Sequence, residues 1–393
     1  MTGRFVRIAL PCLLLLVIAA PSDAARRSSL AGNLLIQDMD DVFFFPQNVV
    51  NYNRTVTFDF GTNADLGSGG MIFGGERLTF GAFAHRGDFM GAIPSAFSTR
   101  GDIDNILDDG SESAPVGPDA LNWIDVLMGW QLGENPWGIR LSVGHGSNDP
   151  AAAAVSSSST GINAVVGAKL VRWNIDASIE FTYLTSEDNI ATQTEESSPI
   201  AVAVAARHLP GEEGDALGLG WLGEFHYDDG SIDRTPIPAA MGTTDDFNGM
   251  SFIGGLGPVY RPSARTNVAM YGTFEYLSNE TKVGTVTDTE THMIIPGWHI
   301  GAEVEIASWL QARAGLVSRY TFDTHKTENS MPVSESETKD VFLDYQWTSG
   351  VGIHFDNFTV DGYLDPSVLT NGTSVFGSNG NRLFGLVTAS YAF

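Results

Sequence analysis

The sequence predicts an all-β chain: a transmembrane antiparallel β-barrel of about 14 strands, or 16 if the first two short segments form a further hairpin. Three observations carry this. Segment after segment alternates apolar and polar residues, the connections alternate between short and long, and the last alternating stretch ends in phenylalanine. A strand sends successive side chains to opposite faces, so a period of two gives one apolar and one polar face.

The clearest segment is 171–183. Val171, Trp173, Ile175, Ala177, Ile179, Phe181 and Tyr183 fall on one face, and Arg172, Asn174, Asp176, Ser178, Glu180 and Thr182 on the other. A helix at 100° per residue would smear this pattern. A soluble sandwich would show the same alternation in any one strand. Its repetition, with short turns at one end and long loops at the other, points instead to a closed barrel whose apolar face meets lipid.

In chain order, residues 1–24 read as a secretory signal. Arg4 and Arg7 precede an apolar run over 8–20 and a small-residue cleavage site at Ser22-Asp23-Ala24. The single cysteine, Cys12, lies within this run, so the mature chain is expected to hold no disulfide. Residues 25–53 precede the first strand. Asp38, Asp40 and Asp41 lead into Phe43, Phe44, Phe45 and Pro46 without any period of two. This segment is expected to be an ordered N-terminal periplasmic or plug segment: either a periplasmic leader whose phenylalanines cover the rim, the reading slightly favoured, or a small plug tucked into the barrel.

Residues 54–393 are expected to form the barrel. Alternation is strong at 54–60, 78–85, 137–145, 219–227, 267–276, 300–306, 310–320 and 341–355, with a short apolar piece at 71–73. It is weaker at 121–131, 161–169, 200–208, 249–260 and 358–364. Long connections are expected at 86–120, 146–160, 184–198, 228–248, 277–292, 323–339 and 365–382. They hold most of the acid, including Glu187, Asp188, Glu195, Glu196, Asp228, Asp229, Asp245, Asp246, Glu335 and Glu337, and read as solvated surface loops.

The stretch 38–46, acidic and then aromatic up to proline, resembles the N-terminal segment of the FadL-like transporters of long-chain fatty acids and hydrocarbons. That resemblance implies a plug and a 14-strand barrel. Phe45 and Gln47 stand where the family's Asn-Pro-Ala signature has asparagine and alanine. The final stretch, with Val387, Ala389, Tyr391 and Phe393 on one face, resembles the closing strand of bacterial outer-membrane proteins. The resemblance implies that Tyr391 and Phe393 are a signal to the barrel-assembly machinery, in the outer membrane among lipid and lipopolysaccharide.

In such a barrel, charged side chains belong inside. The expected lumen and selectivity set is Arg140, Arg172, Asp176, Glu180, Glu224, Glu303, Glu305, Arg313, Arg319, Asp344 and His354. So polar a wall fits passive passage of small solutes. Plugged transport of hydrophobic molecules and loop-mediated adhesion are the alternatives, and a salt-bridge network filling a narrow barrel would use the same residues. A net charge of −26 makes nucleic acid a poor partner. No cofactor and no enzymatic activity are expected. Ser349 and His354 fall on opposite faces of their strand, and the eight histidines form no zinc-ligand spacing. Asp102, Asp104, Asn105, Asp108 and Asp109 offer oxygens, but their spacing departs from a calcium loop and reads as a solvated one.

Overall fold

The computed structural model describes residues 25–61, 67–75, 77–86, 122–148, 156–190, 193–210, 217–236, 243–263, 265–330, 333–364 and 384–393. The signal segment, the aspartates at 102–109 and the connections 87–121 and 365–383 lie outside the described residues. Among the described residues, seventeen strand segments pair antiparallel into one sheet: β1 Thr55–Gly61, β2 Gly67–Gly74, β3 Leu78–Arg86, β4 Asn122–Leu132, β5 Asn135–Asn148 and β6 Ser156–Leu170. β7 Ile175–Ile190, β8 Gln193–Ser197, β9 Ile200–His208, β10 Leu217–Pro236, β11 Thr243–Ser263 and β12 Thr266–Val283 follow. β13 Val286–Ala307, β14 Leu310–Ser330, β15 Val333–Phe355, β16 Phe358–Leu364 and β17 Phe384–Ala392 complete it.

β8 and β9 both pair with β7 and with β10, so they are one stave broken at Ser198-Pro199, where proline has no N–H for the ladder. β17 pairs with β1, from Thr55↔Ala392 to Gly61↔Leu386. The result is a closed barrel of 16 staves. Closure leaves no open sheet edge, so spanning backbone groups can pair within the protein, the condition a strand must meet in hydrocarbon.

Two details differ from the sequence reading. Strand 171–183 begins only at Ile175, because Val171–Trp173 forms a 3₁₀ turn and Asn174 takes a left-handed φ of 49°. β6 already runs to Leu170, so the chain must reverse here. Asparagine tolerates the left-handed region because its short polar side chain bonds locally. The long acidic connections at 184–198, 228–248, 277–292 and 323–339 are for the most part strand as well. β12 and β13 continue to a tight turn at Gly284, and β14 and β15 pair out to Ser330↔Val333. These extensions are polar on both faces and rich in threonine, so β-propensity was present without the apolar alternation that flags a strand.

The staves are unequal in consequence. β1 has 7 residues and β15 has 23. About 9–11 residues suffice to cross a bilayer, so roughly a dozen residues of β15 project beyond it. The wall from β10 to β15 is tall and that from β1 to β3 is low. Around the barrel, outward side chains are apolar and exposed: Ile124, Val126, Leu141, Val143 and Ile179 each exceed half exposure. So broad an unpacked apolar band needs lipid against it. An arginine in place of Ile179 is expected to destabilise the barrel by about 2–4 kcal/mol if that position lies at the bilayer midplane. Chemical-denaturant folding into vesicles measures it, and an unchanged midpoint would mean this face does not meet lipid.

Candidate functional site: the filled lumen

The hydrophobic core of this barrel is contributed by the segment that enters it. Residues 25–53 fold as α1 Ala25–Ser29, α2 Asp41–Phe44 and a 3₁₀ helix Pro46–Tyr52, and lie inside the staves. Leu30, Leu34, Leu35, Ile36, Val42, Phe43, Phe44 and Phe45 are all buried, packed with inward Ile72, Phe83, Leu127, Leu222, Ile253 and Tyr271 from the wall. Phe43 meets the Phe83 ring edge-on at 5.1 Å. Barrel walls alternate lumen-facing and outward-facing residues, so these inward apolar residues would face water if the segment were absent.

Three charged anchors fix the plug to different parts of the wall. On one side Arg207 of β9, with no solvent exposure, donates to Asp41 at 2.6 Å, to Asp176 of β7 at 3.1 Å and to the Leu34 carbonyl at 2.9 Å. Its guanidinium lies 4.7 Å from the centre of the Phe45 ring. Arg27 reaches the other oxygen of Asp41, and Gln47 donates to Asp176 at 3.1 Å. Next to this, Arg140 of β5 donates to the Phe43 carbonyl and to Asn163, and lies 3.4 Å from Glu180. Across the barrel, Arg26 grips both oxygens of Glu303 on β13 at 2.8 and 2.9 Å. Arg313 of β14 links Glu303 at 2.7 Å to Asp361 of β16 at 2.6 Å, and the Ala25 amide donates to Thr388 of β17 at 2.9 Å.

Burial opposes the negative charge of Asp41, but Arg207 and Arg27 outweigh it and hold this carboxyl below its ordinary value. Asp40, one residue away, goes the other way. Burial and then the charges of Asp38 and Asp59 push it well above the ordinary carboxylate value.

The other lumen residues of the sequence set are spread over the wall. Glu224 is buried on β10, on the same face as His226 and Asp228, whose side chains approach to 3.7 Å. Asp176 and Glu180 share the inward face of β7. Arg319 and Asp344 stand opposite in register on β14 and β15, with Asp344 exposed on the tall side of the barrel. His354 lies within reach of Gln311 at 3.3 Å and Thr359 at 3.2 Å. Glu305 sits at the short-turn rim, 3.6 Å from Arg265. Arg172 does not belong to the lumen. It is exposed in the Val171–Trp173 turn, because the strand that would have aimed it inward starts three residues later.

Of the plug residues, Asp38 pairs with Arg26 at 3.2 Å, and Pro46 lies against Gly138 of β5. Tyr391 and Phe393 are exposed at the short-turn end, where the Phe393 amide donates to the Arg54 carbonyl at 2.9 Å. Sequence reasoning missed Arg26, Arg27, Arg207 and Asp361. Arg207 carried a readable signal: Ala201, Ala203, Ala205 and Arg207 share the inward face of β9, and such small side chains leave room for a second layer.

No protein-family model and no curated protein sequence matches this chain. Among solved structures, the siderophore receptor PiuA from Acinetobacter baumannii is 10% identical over 72% of this chain, with a TM-score of 0.40. This chain spans about half of that structure, 53% of its length. The hemophore receptor HasR of Serratia marcescens is 10% identical over 86% of this chain and 80% of its own, with a TM-score of 0.34. The translocator domain of the autotransporter NalP from Neisseria meningitidis is 15% identical over 75% and 95%, with a TM-score of 0.28.

Proposed function

We propose that this protein is a plugged outer-membrane transporter that passes small polar solutes, with cations favoured, when its N-terminal segment shifts. The observation that carries this reading is the plug itself. A buried segment lies within the staves, held by Arg207 on one side and by Glu303 on the other. The acidic wall beside and beyond it, with Glu180, Glu224, Asp228 and Asp245 buried on one side, favours cations over anions or apolar cargo. Steady open diffusion is the second reading, favoured by the same polar wall. The C-terminal Tyr391 and Phe393, in this reading, serve recognition by the assembly machinery.

Single-channel recording of the folded protein in planar bilayers tests the proposal. The expected trace is closed for most of the time, with brief cation-preferring openings. A steady open level from the outset would overturn the plugged reading in favour of diffusion.

The same recording has an expected pH dependence. Asp41 has a lowered value in the docked state, so its contribution to docking is complete above the ordinary aspartate range, near pH 4, and lost as pH falls below it. Asp40 has a raised value, so its contribution is present below that range and lost as pH rises through the raised value. The open fraction is therefore expected to pass through a minimum in weakly acidic solution. A flat profile between pH 3 and 9 would separate gating from these two carboxylates.

A further inference from the structure

Between the plug and the wall at the short-turn end lies a cavity of about 260 Å³, open on one side. It is bordered by Asp38, Asp40 and Asp361, with Arg26 among them. Two of these carboxylates are already matched: Asp38 by Arg26 at 3.2 Å and Asp361 by Arg313 at 2.6 Å. Arg26 is itself committed to both oxygens of Glu303. Asp40 is different. The residue is only 4% exposed and borders the cavity, its side chain makes no cap hydrogen bond to its own helix, and it has no ion-pair partner among the described residues. A buried carboxylate without a partner is costly, which is why its proton affinity is raised. The cavity is where a compensating charge would fit.

We propose that this cavity binds a small organic cation, an ammonium or guanidinium on a short apolar or hydroxylated body, with Asp40 as the counter-charge. A metal ion suits it less well. Calcium takes six to eight oxygens, whereas one carboxylate here is free and the described residues hold no cluster of three acidic or histidine side chains placed for a metal. Met39, Tyr52 and Ala392 supply apolar surface for the body, and Thr55 and Ser390 supply hydroxyls. The volume falls just below the 300–1,000 Å³ of pockets for drug-sized ligands, so the occupant is smaller than these. The inference is independent of whether the lumen conducts.

Titration calorimetry on the full-length folded protein in detergent tests it. The probes are n-butylguanidinium and n-butylammonium, with 1-butanol and calcium chloride for comparison. The expected result is saturable binding of both organic cations and none of butanol. Asp40→Asn should weaken binding at least tenfold, and Glu134→Gln, an exposed acid in the β4–β5 turn at the same end, should leave it unchanged. Absence of saturable binding, equal binding by Asp40→Asn, or tighter binding of calcium than of either organic cation would each overturn the proposal. Should Asp40→Asn fail to fold, Asn357→Trp narrows the mouth of the cavity from an exposed turn. An affinity unchanged in that variant would likewise sink it.

Discussion

Alanine in place of Arg207 is expected to unseat the plug and, under the proposed function, to convert a mostly closed barrel into a conducting one. Arg207 holds two carboxylates from different layers, Asp41 of the plug and Asp176 of the wall, and all three side chains are buried. Removing one partner of a buried ion pair costs about 3–5 kcal/mol, because the charge left behind stays desolvated and unmatched. The variant also loses the bond to the Leu34 carbonyl and the stacking over Phe45. Lysine at 207 keeps the charge but not the planar fork that reaches two carboxylates and a carbonyl at once, so it should restore closure only in part. Combining Arg207→Ala with Asp41→Ala should cost less than the sum of the two, since the stranded charge disappears. The measurements are open fraction in bilayers and proteolysis of residues 25–53. A variant as closed and as protected as the wild type would show that apolar packing alone retains the plug.

Valine at Gly138 or at Gly315 is expected to displace the same segment by a different route. Gly138 of β5 faces the backbone of Pro46 and Gln47, and Gly315 of β14 faces the backbone of Leu30 and Ala31. At either site a β-carbon would come within 3.0 Å of plug main-chain atoms, which cannot swing aside as a side-chain tip can. Overpacking of this kind costs about 1–3 kcal/mol where the neighbour can shift. Here the element most free to shift is the plug, since the wall is pinned by its ladders on both sides. Both variants should therefore fold as barrels yet raise the open fraction. Alanine at Gly223, where a β-carbon meets nothing nearer than 3.9 Å, should change neither property. If Gly138→Val stays closed while the barrel remains intact, the plug does not rest where the close approach implies.

Much of this molecule was legible residue by residue. Alternation at 137–145, 219–227 and 310–320 identified strands and assigned Arg140, Glu224 and Arg313 to the inward face, where they are buried. A strand's two faces are a local property of the chain, so a period of two shows them without a partner in view. The same dependence on apolar contrast explains the misses. The threonine-rich arms of β12 to β15 are polar on both faces, so their pairing beyond the membrane gave no period, and Arg172 was aimed inward because a turn interrupted an unbroken pattern.

What the sequence determined by itself is the barrel: its strands, its outward apolar band and a count of 16 as one of two options. What only the tertiary structure decided is the content of the lumen. Asp41 and Arg207 are 166 residues apart, and Arg26 and Glu303 are 277 apart. No local rule couples such positions. They meet because a closed sheet brings residues from distant staves to face one central space, and a segment with phenylalanines to bury and carboxylates to match fills it.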